Sequence, residues 1–153
     1  MRIHPTGVLA ALLAIWVGPA MADDHGPRAP LLPAYQQECS GCHVAFPPGL
    51  LPAASWQRLM DTLPRHFGSD ASLEPALRQS IGAYLQAHAG SGRRAAEPPE
   101  DRITLGPWFQ REHREVAPEV WTRAEVKGAS NCGACHTQAD AGRYGERDIR
   151  IPR

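Results

Sequence analysis

Two copies of one five-residue pattern carry the chemistry legible in this chain: Cys39-Ser40-Gly41-Cys42-His43 and Cys132-Gly133-Ala134-Cys135-His136. C-x-x-C-H is the attachment signature of c-type haem. Two intervening residues let both thiols reach neighbouring pyrrole rings and add across the vinyl groups as thioethers. The histidine that follows then falls under the metal. The motifs use all 4 cysteines of the 153-residue chain, leaving none for a disulfide or a thiolate metal site. A shared zinc tetrahedron would need the two pairs close in the fold, and most of the chain separates them. A thioredoxin-like pair would sit in a βαβ pattern, and no such alternation is present. Cys39, Cys42, His43, Cys132, Cys135 and His136 are therefore the expected attachment residues and proximal ligands of two covalently bound haem c groups.

An iron held by its motif histidine takes a sixth ligand or keeps that position open, and methionine there raises the potential relative to histidine. Once an export signal is removed, Met60 is the only methionine, and it shares a helical stripe with Trp56, Leu59 and Leu63 that reads as packing. The candidate histidines are His25, His66, His88 and His113. His66 follows a proline break and precedes Gly68, a turn that can aim an imidazole inward. His88 continues the stripe of Leu77, Ile81 and Tyr84, beside a helix end where a histidine can simply bond terminal carbonyls. His25 falls in a polar terminus. His113 lies one turn from both Phe109 and Val116 and shares their face. The favoured sets are His43 with His66 and His136 with His113. The alternatives are His88 or Met60 in place of His66, an uncoordinated buried His113, and crossed pairing.

The elements that must hold these groups are helical. The sequence predicts a short helix entering the first motif from Pro33, then an extended apolar loop, Phe46-Pro47-Pro48-Gly49-Leu50-Leu51-Pro52, too rich in proline for helix or central strand. Ser55 is expected to cap a second helix, ended by Pro64. Asp70 or Ser72 starts a third, with apolar residues at Leu73, Leu77, Ile81, Tyr84 and Leu85, stopped by Gly90-Ser91-Gly92. Residues 90–101 turn to Gly, Arg, Glu and Pro and read as a linker. Pro107 opens a helix bearing Phe109, His113 and Val116; 121–128 is ambiguous and 142–153 looks irregular. In the first unit the motif precedes the helices, and in the second it follows them. The units are not tandem copies.

The N-terminus reads as an export signal over residues 1–22: basic Arg2, an apolar run over 7–18, and Ala20-Met21-Ala22 as a cleavage site. That run is shorter than a bilayer span, and an uncleaved anchor is the alternative. The expected division is 1–22 signal peptide, 23–89 first haem domain, 90–101 linker and 102–153 second haem domain, with the mature protein periplasmic and not stably inserted in a membrane. Lys and Arg number 16 against 16 Asp and Glu, and haem propionates would add negative charge. Nucleic acid binding, which calls for a concentrated basic face, is not expected.

Taken in order, several segments resemble the dihaem cytochrome c family of bacterial electron-transfer proteins over almost the whole mature chain. They are Glu38-Cys39-Ser40-Gly41-Cys42-His43, Ala45-Phe46-Pro47-Pro48-Gly49-Leu50-Leu51-Pro52, His66-Phe67-Gly68, Pro107-Trp108-Phe109-Gln110-Arg111-Glu112-His113 and Asn131-Cys132-Gly133-Ala134-Cys135-His136. The resemblance implies a mainly α fold: a class I cytochrome c-like N-terminal domain, closed by the helix containing Tyr84-Leu85, and a smaller, less regular helical C-terminal haem domain. It also implies two bis-histidine low-spin haems. A small oxygen-binding monohaem cytochrome c is the implied electron acceptor, and a membrane cytochrome b is a plausible donor.

The expected function is electron relay through two low-potential haems rather than catalysis, since no nucleophile or general base stands out beside the motifs. Arg93, Arg94, Arg111 and Arg114 read as solvated charge or as an orienting surface for an acidic partner. A haem enzyme or a gas-binding sensor is the competing class. Either needs one open axial position, so both turn on His66 and His113.

Overall fold

The computed structural model describes residues 30–153. The expected signal segment, its cleavage site and His25 lie outside the described residues. Among the described residues there is no strand; β pairing is limited to isolated bridges between His66 and Ser69 and between His136 and Ile149. The architecture is mainly α, as expected.

Helix α1 spans Pro33–Cys39, with proline in its first turn, where the missing N–H has no intrahelical partner. It ends on the first cysteine of the first motif. Helix α2 spans Ala53–Asp61 and α3 spans Pro75–Ala87. Their apolar faces meet with α1 in a core of Tyr35, Ala45, Leu51, Trp56, Met60, Leu63, Ile81 and Leu85. At Gly82 a Cβ would lie 3.9 Å from Met60 Cγ, so α2 and α3 approach closely there. Two buried aromatics spend their polar atoms on the proline-rich loop: Tyr35 donates to the Phe46 carbonyl at 2.9 Å and Trp56 to that of Pro48 at 2.7 Å. Each meets the requirement that a buried polar tip find a partner.

Helix boundaries differ from the sequence reading in instructive ways. Pro52, extended at φ −72° and ψ 159°, is the cap residue of α2. Ser55 lies inside the first turn, fully buried, and accepts a hydrogen bond from Arg58. Asp70 does not start α3, because its carboxylate accepts from the Ser72 amide at 2.9 Å and closes a local turn. Helix α3 ends at Ala87, with the His88 amide bonded to the Tyr84 carbonyl, before the glycines expected to stop it.

Gly90 serves close approach instead. A Cβ there would fall 2.1 Å from the Gly49 carbonyl oxygen and 2.4 Å from Ala95 Cβ, while the Gly90 amide donates to Leu51 at 2.9 Å. Replacement by alanine forces the backbone apart. Gly90→Ala is expected to cost about 3 kcal/mol, the upper range for overpacking, and denaturant unfolding of the holoprotein checks it.

The 90–101 segment is mostly exposed but is tied down at a few points. Ala95 and Pro98 are buried. Arg58 of α2 grips Asp101 through two hydrogen bonds of 2.9 and 2.6 Å and Glu97 through one of 2.7 Å. Beyond it, α4 spans only Pro107–Glu112, and short 3-10 turns complete the chain. Few apolar side chains are buried in this part: Phe109, Val120, Val126 and Ala139. This is the less regular portion that the sequence leads one to expect.

Candidate double haem site

The first site is built outward from α1. His43 leaves the motif with its ring stacked on Phe46, centroids 4.6 Å apart and planes 12° apart. Its Nδ1 lies 2.8 Å from the Val44 carbonyl oxygen. A carbonyl only accepts, so Nδ1 carries the proton and Nε2 keeps its lone pair free. His66 comes from a tight turn in which Phe67 and Gly68 both have positive φ, 48° and 94°, and the Ser69 amide bonds back to His66. That turn delivers the His66 ring to within 6.1 Å of the His43 ring, centroid to centroid.

The second site has the same parts in the opposite chain order. His113 sits at the end of α4, stacked on Phe109 at 4.0 Å and 19°. Its Nδ1 bonds to the Phe109 carbonyl at 2.9 Å, again freeing Nε2. Phe109, His113, Val116, Trp121 and Leu105 line a cavity of about 430 Å³. The second motif forms a 3-10 turn over Cys132–Ala134 and is clamped by the tail. The Arg150 amide donates to Cys135 at 2.8 Å, and the Thr137 amide to Asp148 at 2.9 Å. His136 and His113 have ring centroids 6.1 Å apart.

Burial favours the neutral forms of His66, His136, Cys39 and Cys132. Burial lowers the pKa of His66, helped by His43 and Arg102, and burial followed by His113 lowers that of His136. Burial, with Glu38 next, pushes the Cys39 thiol up to about 11, and burial pushes Cys132 to about 11 as well. Uncharged thiols and imidazoles suit an apolar porphyrin edge. No disulfide joins the four cysteines.

The residues present fit two haems. An imidazole nitrogen sits about 2 Å from a first-row metal. Adding about 1 Å from each ring nitrogen to its centroid places two coaxial imidazoles about 6 Å apart across an iron. Among the described residues no hydrogen-bond partner engages the buried Nδ1 of His66 or of His136, so neither ring is locked in place by a hydrogen bond at that nitrogen. Among the described residues no three His, Cys, Asp or Glu converge as a metal cage. The described residues would offer imidazoles and thiols to a porphyrin that brings its own nitrogen donors.

The remaining candidates lie elsewhere. His88 is exposed, its Nδ1 bonded to the Tyr84 carbonyl at 2.9 Å. Met60 is buried in the helical core against Gly82. Sequence reading missed how the sites meet: a Cβ on Gly133 would lie 3.6 Å from Val44 Cγ1, so the two motifs are neighbours. Gln36 of α1 donates to the Asp140 carbonyl at 3.1 Å. Tyr144 packs on His136 at 5.2 Å. The spacing of Phe109 and His113 could have been read as a stacked pair, but no local pattern marks Tyr144 or Val44.

A helical chain with two adjoining C-x-x-C-H sites, each facing a second imidazole, is a c-type cytochrome by construction. The profile of the family described as dihaem cytochrome c matches residues 35–144, and the chain belongs to that family. It carries two covalently bound c-type haems, each with an iron, and electron transfer is the chemistry they imply. Solved structures agree. A diheme cytochrome c from Rhodobacter sphaeroides is 44% identical with a TM-score of 0.66, covering 76% of this chain and 100% of that one. One from Shewanella baltica is 34% identical with a TM-score of 0.69, covering 78% and 92%. Among curated proteins, a 54-residue stretch is 41% identical to tyrosine-protein phosphatase non-receptor type 23 of Rattus norvegicus. That stretch is 35% of this chain and 4% of the phosphatase, so the match defines neither a shared domain nor a shared activity.

Proposed function

We propose that this protein is an exported electron carrier in which His43 with His66, and His113 with His136, are the axial pairs of two low-spin haems. The observation that carries this reading is the 6.1 Å centroid separation in both pairs. Each haem iron takes up and releases one electron. The protein's part is to hold both axial nitrogens so that the change of oxidation state needs little rearrangement. Val44 and Phe109 carbonyls fix the tautomers of His43 and His113, and such outer hydrogen bonds also raise ligand basicity. Histidine rather than methionine on both sides sets low potentials. With both axial positions filled, substrate has no open site, which favours a carrier over an enzyme or gas sensor.

Contact between the two motifs favours a short relay from one haem to the other. We assign export through the segment 1–22 to the periplasm, a small monohaem c-type cytochrome as acceptor and a membrane cytochrome b as donor. The export assignment rests on the signal pattern, and the partners rest on the family resemblance. The described residues include no helix long and apolar enough to cross a membrane, and the division into 23–89, 90–101 and 102–153 follows the order of motifs and helices.

Electron paramagnetic resonance of the oxidised protein tests the ligation. The planes of His43 and His66 are 31° apart, whereas those of His113 and His136 are 76° apart. Near-parallel imidazoles split the iron d-π orbitals and give a rhombic signal; near-perpendicular ones leave them almost degenerate and give a strongly anisotropic signal. One low-spin signal of each kind is expected, with no rapid carbon monoxide binding on reduction. A native high-spin haem would instead favour the enzyme or sensor reading.

A further inference from the structure

We propose that Arg102, a residue of the second unit, is a positioning cation that sets the potential of the first haem through Phe67 and His66. This rests on His66 serving that haem. The Arg102 guanidinium carbon lies 4.2 Å from the centroid of the Phe67 ring, and that ring lies 4.9 Å from the His66 ring. Laid end to end, these separations place the charge within about 9 Å of the imidazole. The contact crosses 35 residues of sequence and brings a fixed cation onto the aromatic ring that packs on His66.

The backbone around this contact is unusual. Phe67, Glu100 and Asp101 have φ of 48°, 56° and 55°, in the left-handed region that bulky side chains avoid. Such conformations persist where the surroundings over-determine them, and they gather at functional positions. Asp101 is held by Arg58, and Glu100 accepts from Arg102 Nε at 3.1 Å. The strained turn therefore orients Arg102 and supplies a carboxylate that partly offsets its charge.

The direction of the effect follows from charge alone. A ferric centre carries one more positive charge than the ferrous centre, so a nearby cation favours the reduced state and raises the potential. Arg102 is half-exposed, so solvent and Glu100 weaken its field. Arg102→Gln is expected to shift the ferric/ferrous equilibrium of the first haem toward ferric by about fivefold, on the scale of a screened charge at this range. Arg102→Lys should recover most of the shift, and Glu100→Gln should move it the other way.

The experiment is a redox titration of the holoprotein and these variants, followed by electron paramagnetic resonance. The signal lost in His66→Ala identifies the first haem; if no low-spin signal is lost there, the ligation reading fails, whatever Arg102 does. With the first haem identified, opposite shifts in Arg102→Gln and Glu100→Gln, larger there than at the second haem and with both haems still low-spin, support the proposal. No shift, equal shifts at both haems, or the appearance of a high-spin haem in Arg102→Gln would overturn it in favour of a purely structural contact.

Discussion

Replacing His113 by alanine should convert one of the two haems to a high-spin, carbon monoxide-binding centre and leave the other low-spin. The change should be close to complete at that iron, because the described residues lining the cavity around His113, among them Phe109, Val116, Trp121 and Leu105, include no further imidazole or thioether to replace it. His66→Ala should do the same at the other iron. Among the described residues it removes the one ring in contact with His43 besides Phe46. Each variant should lose one of the two low-spin resonance signals, the strongly anisotropic one for His113 and the rhombic one for His66. His88→Ala should lose neither, since its ring caps the end of α3 on the Tyr84 carbonyl. Absorption spectra of the reduced proteins with and without carbon monoxide check all three. If His88→Ala opens an iron and His66→Ala does not, the first-site pair is wrong.

Blocking attachment at the second motif should unfold most of the C-terminal part while the first unit stays folded. In Cys132→Ser/Cys135→Ser, residues from Pro107 onward have only a six-residue helix, several 3-10 turns and four buried apolar side chains to draw on. An isolated helix of that length is far too short to be stable in water. With few apolar groups of its own, this region depends on its porphyrin as small metallodomains depend on their metal. The N-terminal part retains a protein core: burial of Leu51, Trp56, Met60, Ile81 and Leu85 is worth about 1.5–3 kcal/mol each. Hydrogen exchange should therefore show protection lost over residues 107–150 and kept in α2 and α3. The same substitutions at Cys39 and Cys42 should cost less protection in α3. Loss of protection throughout the chain on blocking the second motif alone would show that the first unit cannot stand without the second haem.

How much of this was legible beforehand depends on the range of the interaction. Haem attachment was fully local: a thiol pair and an imidazole at fixed spacing meet one porphyrin whatever surrounds them, so two five-residue motifs announce two haems. Helix content was also local. Apolar periodicity at Trp56, Leu59, Met60 and Leu63, and at Ile81, Tyr84 and Leu85, needs only the helical repeat to become a buried face. Boundaries were less legible, because they turn on competition. Pro52 took the cap position expected of Ser55, and Asp70 spent its carboxylate on Ser72 rather than on a helix end.

The sequence by itself determined the cofactor chemistry, the helical class and the short set of histidines able to complete the irons. Only the tertiary structure decided which of them face the motif histidines. Choosing between His66 and His88 depends on where a strained turn and the end of α3 are carried relative to His43. That is set by packing among α1, α2 and α3 and by Gly90 against Gly49, contacts distant in sequence. The adjacency of Val44 to Gly133 and the reach of Arg102 to Phe67 belong to the same kind. No periodicity records them, because each joins residues whose separation along the chain bears no relation to their separation in space.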